Sequence, residues 1–469
     1  MMQKDNAKSR IGHLIKISSI AAAGGFLFGY DTAVISGTLS MVQKQFGLNP
    51  AMEGWFVSSA LIGCIIGVSG AGWMSDRFGR KRILLLTGLL FSLSAMGCAV
   101  SGSFDTLVIF RFIGGMGVGI ASMISPLYIS EVAPSRIRGR LVALYQLAIT
   151  VGILSAYLIN KGLLNFALGN TEHQIQLVET VFMTEVWRAM LGMEALPALT
   201  FFILVFMLPE SPRWLVLKNQ EKRAHAIFSR LTGEKQASEE ILSVKEILKM
   251  ETTSASLILE RGILVAVFLG VSLAVLAQFT GIDAIVYYGP RILEAAGFNL
   301  KDALSGQILI GIVIVVFTLL AIWKIDKIGR RPLLLFGTSG MLASLSGIAI
   351  LFALGLAEGI LLLMFILVFI ACFSFSLGPV VWVVLSEIYP TRIRGRAMSI
   401  ATVSTWIATS IIGQMIPIML DGIGPSFTFW IFAAFCLPAL YIGWRILPET
   451  KGQSLEQIEQ HWLNYGKQR

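Results

Sequence analysis

Long apolar stretches separated by short charged ones set the rhythm of this chain. Runs of spanning length fall at roughly 14–38, 53–74, 83–101, 106–130, 141–161 and 188–208. After a charged stretch they resume at roughly 262–290, 304–323, 333–355, 359–385, 398–420 and 427–447. A membrane helix needs about 20 apolar residues to cross the hydrocarbon layer. Lipid offers no partner to backbone N–H and C=O groups, so a spanning segment is a helix or part of a closed barrel. Barrel strands are about 10 residues of alternating character, unlike these runs. The pattern predicts an all-α membrane protein with twelve transmembrane helices: six, a break, then six. In the break, Ile227, Leu231, Ile241, Leu242, Ile247 and Leu248 recur among Lys, Glu, Arg and His over 216–255. That spacing predicts short amphipathic helices, packed as a platform under the spans.

The two halves repeat one another. Asp76-Arg77-Phe78-Gly79-Arg80-Lys81 returns as Asp326-Lys327-Ile328-Gly329-Arg330-Arg331. Glu131-x-x-Pro134-x-Arg136-Ile137-Arg138-Gly139-Arg140 returns as Glu387-x-x-Pro390-x-Arg392-Ile393-Arg394-Gly395-Arg396. Pro209-Glu210-Ser211 has its counterpart in Pro448-Glu449-Thr450. Six spans per half keep both halves in one orientation, so the repeats are parallel and a path between them near mid-membrane is expected. The expected organisation is an N-terminal six-helix bundle over 1–208 and a cytoplasmic linker with short amphipathic helices over 209–261. A C-terminal six-helix bundle over 262–447 and a cytoplasmic tail over 448–469 follow.

Composition narrows the class. Apolar residues make up 55% of the 469, charged residues only 14%, and mean hydropathy is +0.76. That excludes a soluble enzyme, a disordered chain and a disulfide scaffold. The net charge of +9 is a question of which loops hold it. Arg77, Arg80, Lys81 and Arg82, then Arg136, Arg138 and Arg140, then Lys324, Lys327, Arg330 and Arg331, then Arg392, Arg394 and Arg396 follow spans 2, 4, 8 and 10. The opposite loops hold Lys44, Lys161, Arg291 and Lys301. By the positive-inside rule both termini are cytoplasmic. Cys64, Cys98, Cys372 and Cys436 all fall inside apolar runs and read as buried thiols. His13, His173, His225 and His461 are scattered, so no metal site is expected. Lys4, Lys8 and Arg10 before an apolar run could pass for a signal peptide. Apolar character continues past Ala21, Ala22 and Ala23, however, and takes in Asp31, as an uncleaved first span does. Nothing argues for nucleic acid.

With the repeats in view, the chain resembles the sugar porter family of the major facilitator superfamily. The resemblance rests on Asp76-Arg77-x-Gly79-Arg80-Lys81, Pro209-Glu210-Ser211-Pro212-Arg213-Trp214, Gln278-x-x-Gly281, Gly378-Pro379-x-x-Trp382, Ser386-Glu387 and Pro448-Glu449-Thr450-Lys451-Gly452. Within the family it is most similar to bacterial proton-coupled pentose and hexose symporters, through Gly29-Tyr30-Asp31-Thr32-Ala33-Val34-Ile35-Ser36-Gly37. The resemblance implies a major facilitator fold and uptake of a neutral monosaccharide with a proton. It also implies a cytoplasmic latch between the halves, formed by Asp76, Arg80, Glu131, Arg138 and Glu210 with Asp326, Arg330, Glu387, Arg394 and Glu449. Arginines there mark the inside whatever else they do, but topology does not account for the repeated acidic partners.

Asp31 sits midway along span 1, where an unpaired carboxylate costs about 2.5–3.5 kcal/mol on insertion scales. Its candidate partner is Arg111, in span 4. Burial and a nearby cation pull such an acid in opposite directions, which lets it titrate as its surroundings change; a permanent structural ion pair is the other reading. The resemblance favours proton coupling, because family symporters carry Asp here and facilitators generally a neutral residue.

A sugar needs amide or carboxylate partners for its hydroxyls and an aromatic wall for its ring. Gln146, Gln278, Asp283, Tyr287 and Trp382, flanked by Phe28, Thr405 and Trp406, match positions that line the sugar site in the family. Any one of the aromatics reads equally well as helix packing. The family's Gln-Gln pair on span 7 is here Ala277-Gln278, and its following Asn is Asp283. A further Gln of xylose-type porters is Ile153, and the amide residue before Trp406 is Thr405. Asp283 can accept from two adjacent hydroxyls, receive an amino group, or hold a second proton.

Gly24, Gly25, Gly29 and Gly37, with Gly114, Gly115, Gly117 and Gly119, lack the strand and helix start of a phosphate loop and read as close helix packing. No nucleotide and no cofactor are expected, and no obligate protein partner is implied. The alternatives are a proton-independent sugar facilitator and a symporter for inositol or an amino sugar. A signalling receptor predicts a longer extension than the roughly 22 residues after span 12, and a drug antiporter predicts a less polar pocket. The short loops, with no transit segment, suit a bacterial inner membrane.

Overall fold

The computed structural model describes residues 2–134, 137–169, 179–251, 261–357, 359–389, 393–453, 457, 458, 460 and 462. His173, Arg136, Pro390 and Arg392 lie outside the described residues, as do 252–260 of the linker, much of the tail and the side chains of Ile247 and Leu248.

Twelve helices are long and apolar enough to cross a membrane. Spans 1 to 6 are Ile11–Phe46, Pro50–Phe78, Arg80–Val100, Phe104–Val132, Arg138–Gly169 and Val186–Val205. Spans 7 to 12 are Gly262–Ala295, Leu300–Ile328, Arg330–Ala353, Ile360–Ile388, Arg394–Gly422 and Gly424–Ile446. Each corresponds to one expected run, and most extend a turn or more beyond it. At 1.5 Å per residue a 29-residue helix such as span 2 reaches well past a hydrocarbon layer of about 30 Å. Its polar ends continue the helix into the headgroup region.

Three spans are broken, which the hydropathy pattern does not indicate. Span 6 consists of Val186–Gly192 and Ala195–Val205, with a turn at Met193 and Glu194. Span 7 consists of Arg261–Phe279 and Ile282–Ala295, joined through Gly281 at φ 86°. A β-carbon at Gly281 would also overlap the Phe432 ring, so the position excludes a side chain twice over. Span 10 breaks at Ser376, between Ile360–Phe375 and Leu377–Ile388.

The linker forms helices Pro212–Leu217, Glu221–Thr232 and Glu234–Glu251. Leu215, Val216, Ala224, Phe228, Ala237, Ile241 and Val244 make their common core, with Ile227 against it, whereas Leu242 is exposed. All four cysteines are free.

The chain divides into two compact units: Met1–Thr32, Ile62–Ala156 and Arg188–Thr252 in one, Ala33–Leu61, Tyr157–Trp187 and Thr253–Arg469 in the other. In the first, span 1 lies so close to span 5 that a β-carbon at Gly29 would overlap the Ile149 carbonyl, and one at Gly119 would overlap that of Cys64. Small residues thus bring backbones together where lipid supplies no hydrophobic drive. In the second unit, the ends of spans 1, 2 and 5 nearest Phe46, Pro50 and Gly169 pack with spans 7, 8 and 11. There the Tyr157 hydroxyl donates to the Val286 carbonyl (3.2 Å) and Tyr288 to that of Gly413 (2.8 Å).

Candidate functional site

In the first unit, Arg111 Nη1 donates to Asp31 Oδ1 at 2.6 Å, and both residues are about 97% buried. The pairing expected from sequence is present. Gly114 makes room for it: a β-carbon there would lie 3.5 Å from Asp31 Oδ1 and overlap the Ser94 hydroxyl. A third charged residue joins them. Glu194, from the turn that breaks span 6, is buried within hydrogen-bonding reach of Asp31 and interacts with Arg111. The Glu194 Oε1, Arg111 Nε and Tyr30 hydroxyl atoms are buried without a hydrogen-bond partner. Two carboxyls beside one guanidinium leave one negative charge uncompensated, and such a set can hold a proton. Sequence reading passed over Glu194, which falls inside the sixth apolar run.

The repeated motifs build matching clusters. In the first unit, Arg80 grips Glu131 through Nε and Nη2 at 3.0–3.2 Å and meets Asp76 at 3.0 Å. Glu210 Oε1 accepts from the backbone N–H groups of Arg80 (2.9 Å) and Lys81 (3.1 Å), capping the start of span 3. Gly79, at φ 97°, leaves room for that carboxylate. In the second unit Arg330 grips Glu387 (2.7 and 3.1 Å) and meets Asp326 (3.0 Å). Glu449 caps Arg330 and Arg331 at 3.1 and 3.0 Å, with Gly329 at φ 105°. Arg138 and Arg394 each donate to a carbonyl just past the preceding span, Ala133 and Tyr389, at 3.4 Å, and interact electrostatically with Glu240 and Glu387 respectively. The left-handed glycine and the capping glutamate explain why Gly and Glu recur in these motifs.

The expected sugar-site residues lie in both units. In the first are Phe28 and Gln146, both partly buried. In the second, Gln278 precedes the break in span 7 and Asp283 follows it, in the first turn of the helix that restarts there. Asp283 is 92% buried; Thr409 hydrogen-bonds to it, and its Oδ2 has no partner. Tyr287, Thr405 and Trp406 are buried, and Trp382 is exposed. The Thr405 hydroxyl is spent on the Ala401 carbonyl at 2.9 Å. A broken membrane helix with polar residues on either side of the break is a recurrent way to build a substrate site. Among the described residues, no three His, Cys, Asp or Glu side chains group as metal ligands.

These features can be set beside known proteins. A family model described as "Sugar (and other) transporter" matches residues 17–462. The chain is 40% identical over 454 residues to an arabinose-proton symporter of Bacillus subtilis (strain 168), covering 97% of this chain and 96% of that one. It is 35% identical over 489 residues to a D-xylose-proton symporter of Escherichia coli (strain K12), covering 97% of each. Its structure resembles the partially occluded inward open conformation of the xylose transporter XylE from E. coli, with a TM-score of 0.82, 34% identity, and 94% and 100% of the two chains covered. The repeated motifs, the twelve spans and these matches agree: the chain belongs to the sugar porter family of the major facilitator superfamily, a family of transporters, and is a multi-pass membrane protein.

Proposed function

We propose that this protein takes up a neutral monosaccharide, a pentose or hexose of xylose-like kind, together with a proton. The observation that carries this is the buried Asp31–Arg111 pair with Glu194 beside it. An ion set placed inside a membrane helix bundle, with fewer cations than acids, is costly unless it serves to bind and release a proton. The names of the relatives point the same way. Asp31 and Arg111 are the proton-coupling residues, and Gln146, Gln278, Asp283, Tyr287 and Trp382 contact the sugar, flanked by Phe28, Thr405 and Trp406. Residues 1–208 and 262–447 rock against each other around that site, joined by 209–261, with 448–469 as a cytoplasmic tail. The arginine–carboxylate clusters act as the cytoplasmic latch. The protein resides in a bacterial inner membrane with both termini cytoplasmic, as the placement of its arginines supports.

Asp283 favours a second reading of the substrate. Its unpartnered oxygen suits an amino group as well as a pair of hydroxyls, which brings amino sugars into range. Uptake of labelled xylose, glucose, galactose and glucosamine into proteoliposomes, with and without an inward proton gradient, tests both. Accumulation above equilibrium that a protonophore abolishes is the expected result. Equilibration that ignores the gradient would make the protein a facilitator. Asp283→Asn lowers glucosamine uptake at least about tenfold more than xylose uptake if the amino group is the partner; equal losses discard that substrate.

A further inference from the structure

Arg291 is one of few basic residues on the face opposite the Asp-Arg-x-Gly loops, so orientation in the membrane does not explain it. It lies near the end of span 7, one helical turn past the break-distal tyrosines Tyr287 and Tyr288. One guanidinium nitrogen pairs with Glu53, at the start of span 2; the other donates to Asp421, at the end of span 11, at 2.8 Å. Glu53 is only 1% exposed, and Arg291 is its sole ion-pair partner among the described residues. Neighbouring contacts in the same unit are neutral at one or both ends. Ser40 donates to Glu294 (2.8 Å), Lys161 to Ser305 (2.7 Å) and Ser58 to Gln414 (2.7 Å). Gln414 in turn donates to the Ala51 carbonyl (2.9 Å), and a β-carbon on Gly54 would overlap its backbone. Of these contacts in the second unit, the one made by Arg291 joins three spans and neutralises a fully buried charge.

Such a pair has two tolerable states. Together and dry, the ions compensate one another; apart and hydrated, each is satisfied by water. Apart and dry is strongly unfavourable. We propose that Arg291, with Glu53 and Asp421, is an ionic clasp that closes the outer end of the transport path and must open to water in every cycle. Its role is positional: it sets how the population divides between outward-open and outward-closed forms. This rests on the alternating-access reading above, in which the outer ends of spans 1, 2 and 5 part from those of spans 7, 8 and 11.

The test uses the full chain in intact cells, with Cys64, Cys98, Cys372 and Cys436 replaced by alanine and Ser58→Cys as reporter, since Ser58 is buried between spans 2 and 11. A membrane-impermeant thiol reagent is added outside, without sugar. Arg291→Gln raises the labelling rate about tenfold, and Asp421→Asn, at the exposed rim, raises it less. The KM for external sugar falls, whereas mere loss of folded carrier lowers the maximal rate and leaves KM unchanged. The double variant Glu53→Gln, Arg291→Gln leaves no orphaned buried ion and so preserves the comparison if the single variant fails to fold. Labelling and KM equal to the parent in both would overturn the clasp. Because labelling needs no sugar, its rise in Arg291→Gln alongside absent gradient-driven uptake by the parent would instead discard the symport reading and leave the clasp standing.

Discussion

Asp31 and Glu194 show how one residue's surroundings decide its chemistry. Both are acids, both are buried, and one guanidinium serves the two. Replacing Asp31 by Asn removes the charge that Arg111 faces and, on the proposed coupling, the group that takes the proton, while leaving the shape of the site. Asp31→Asn therefore abolishes accumulation above equilibrium but retains sugar exchange, and its residual exchange loses dependence on external pH. In the parent, uptake falls as external pH rises because the co-transported proton becomes scarcer outside. Tracer accumulation and counterflow, measured side by side across a pH series, check this; uphill uptake surviving in the variant contradicts it. Glu194→Gln keeps the Asp31–Arg111 pair and lowers uphill uptake more than exchange. Asp31 was legible because a charge midway along an apolar run is conspicuous. Glu194 was not, because only the turn at 193–194 carries it inward.

At the level of the helix, the glycines of the motifs do work that hydropathy cannot register. Gly79 and Gly329 enter spans 3 and 9 with φ near 100° and ψ near 160°, a region essentially closed to other residues. Each also leaves room for the glutamate that caps the helix start, Glu210 or Glu449. Gly329→Ala forces both a strained backbone and a displaced cap. It costs about 1–3 kcal/mol and lowers the thermal midpoint in detergent by several degrees, whereas Gly395→Ala, with open space at its β-carbon, leaves it unchanged. Equal midpoints for the two variants would remove the capping account. The same reasoning applies to Gly281: its left-handed backbone breaks span 7 and places Asp283 at the head of a new helix rather than along a continuous one.

For the whole molecule, the repeat is the organising fact. Arg80 with Glu131 and Arg330 with Glu387 are the same device built twice, once in each unit. If these clusters form the cytoplasmic latch, weakening one shifts the carrier toward inward-open. Glu387→Gln then lowers transport several-fold while leaving much of the sugar binding, and makes cysteines introduced on the cytoplasmic side more reactive. Unchanged reactivity from both sides, with full transport, would reduce the cluster to a local brace. Arg138 and Arg394 cap the ends of spans 4 and 10, so their substitution is expected to reach the latch through those helix ends.

The amino-acid order alone determined that the chain is all-helical, how many times it crosses the membrane, that its halves are parallel repeats, and which acid and arginine pair inside it. Those properties follow from local composition and from patterns recurring along one dimension: a run of apolar residues has one outcome in lipid, and a lone buried charge has few partners. The tertiary structure decided the broken spans, the second acid beside Asp31, the unpartnered oxygen of Asp283 and the joining of Glu53, Arg291 and Asp421. Each depends on a backbone dihedral or on the meeting of side chains from distant segments. Hydropathy sums residues along the chain and has no access to either.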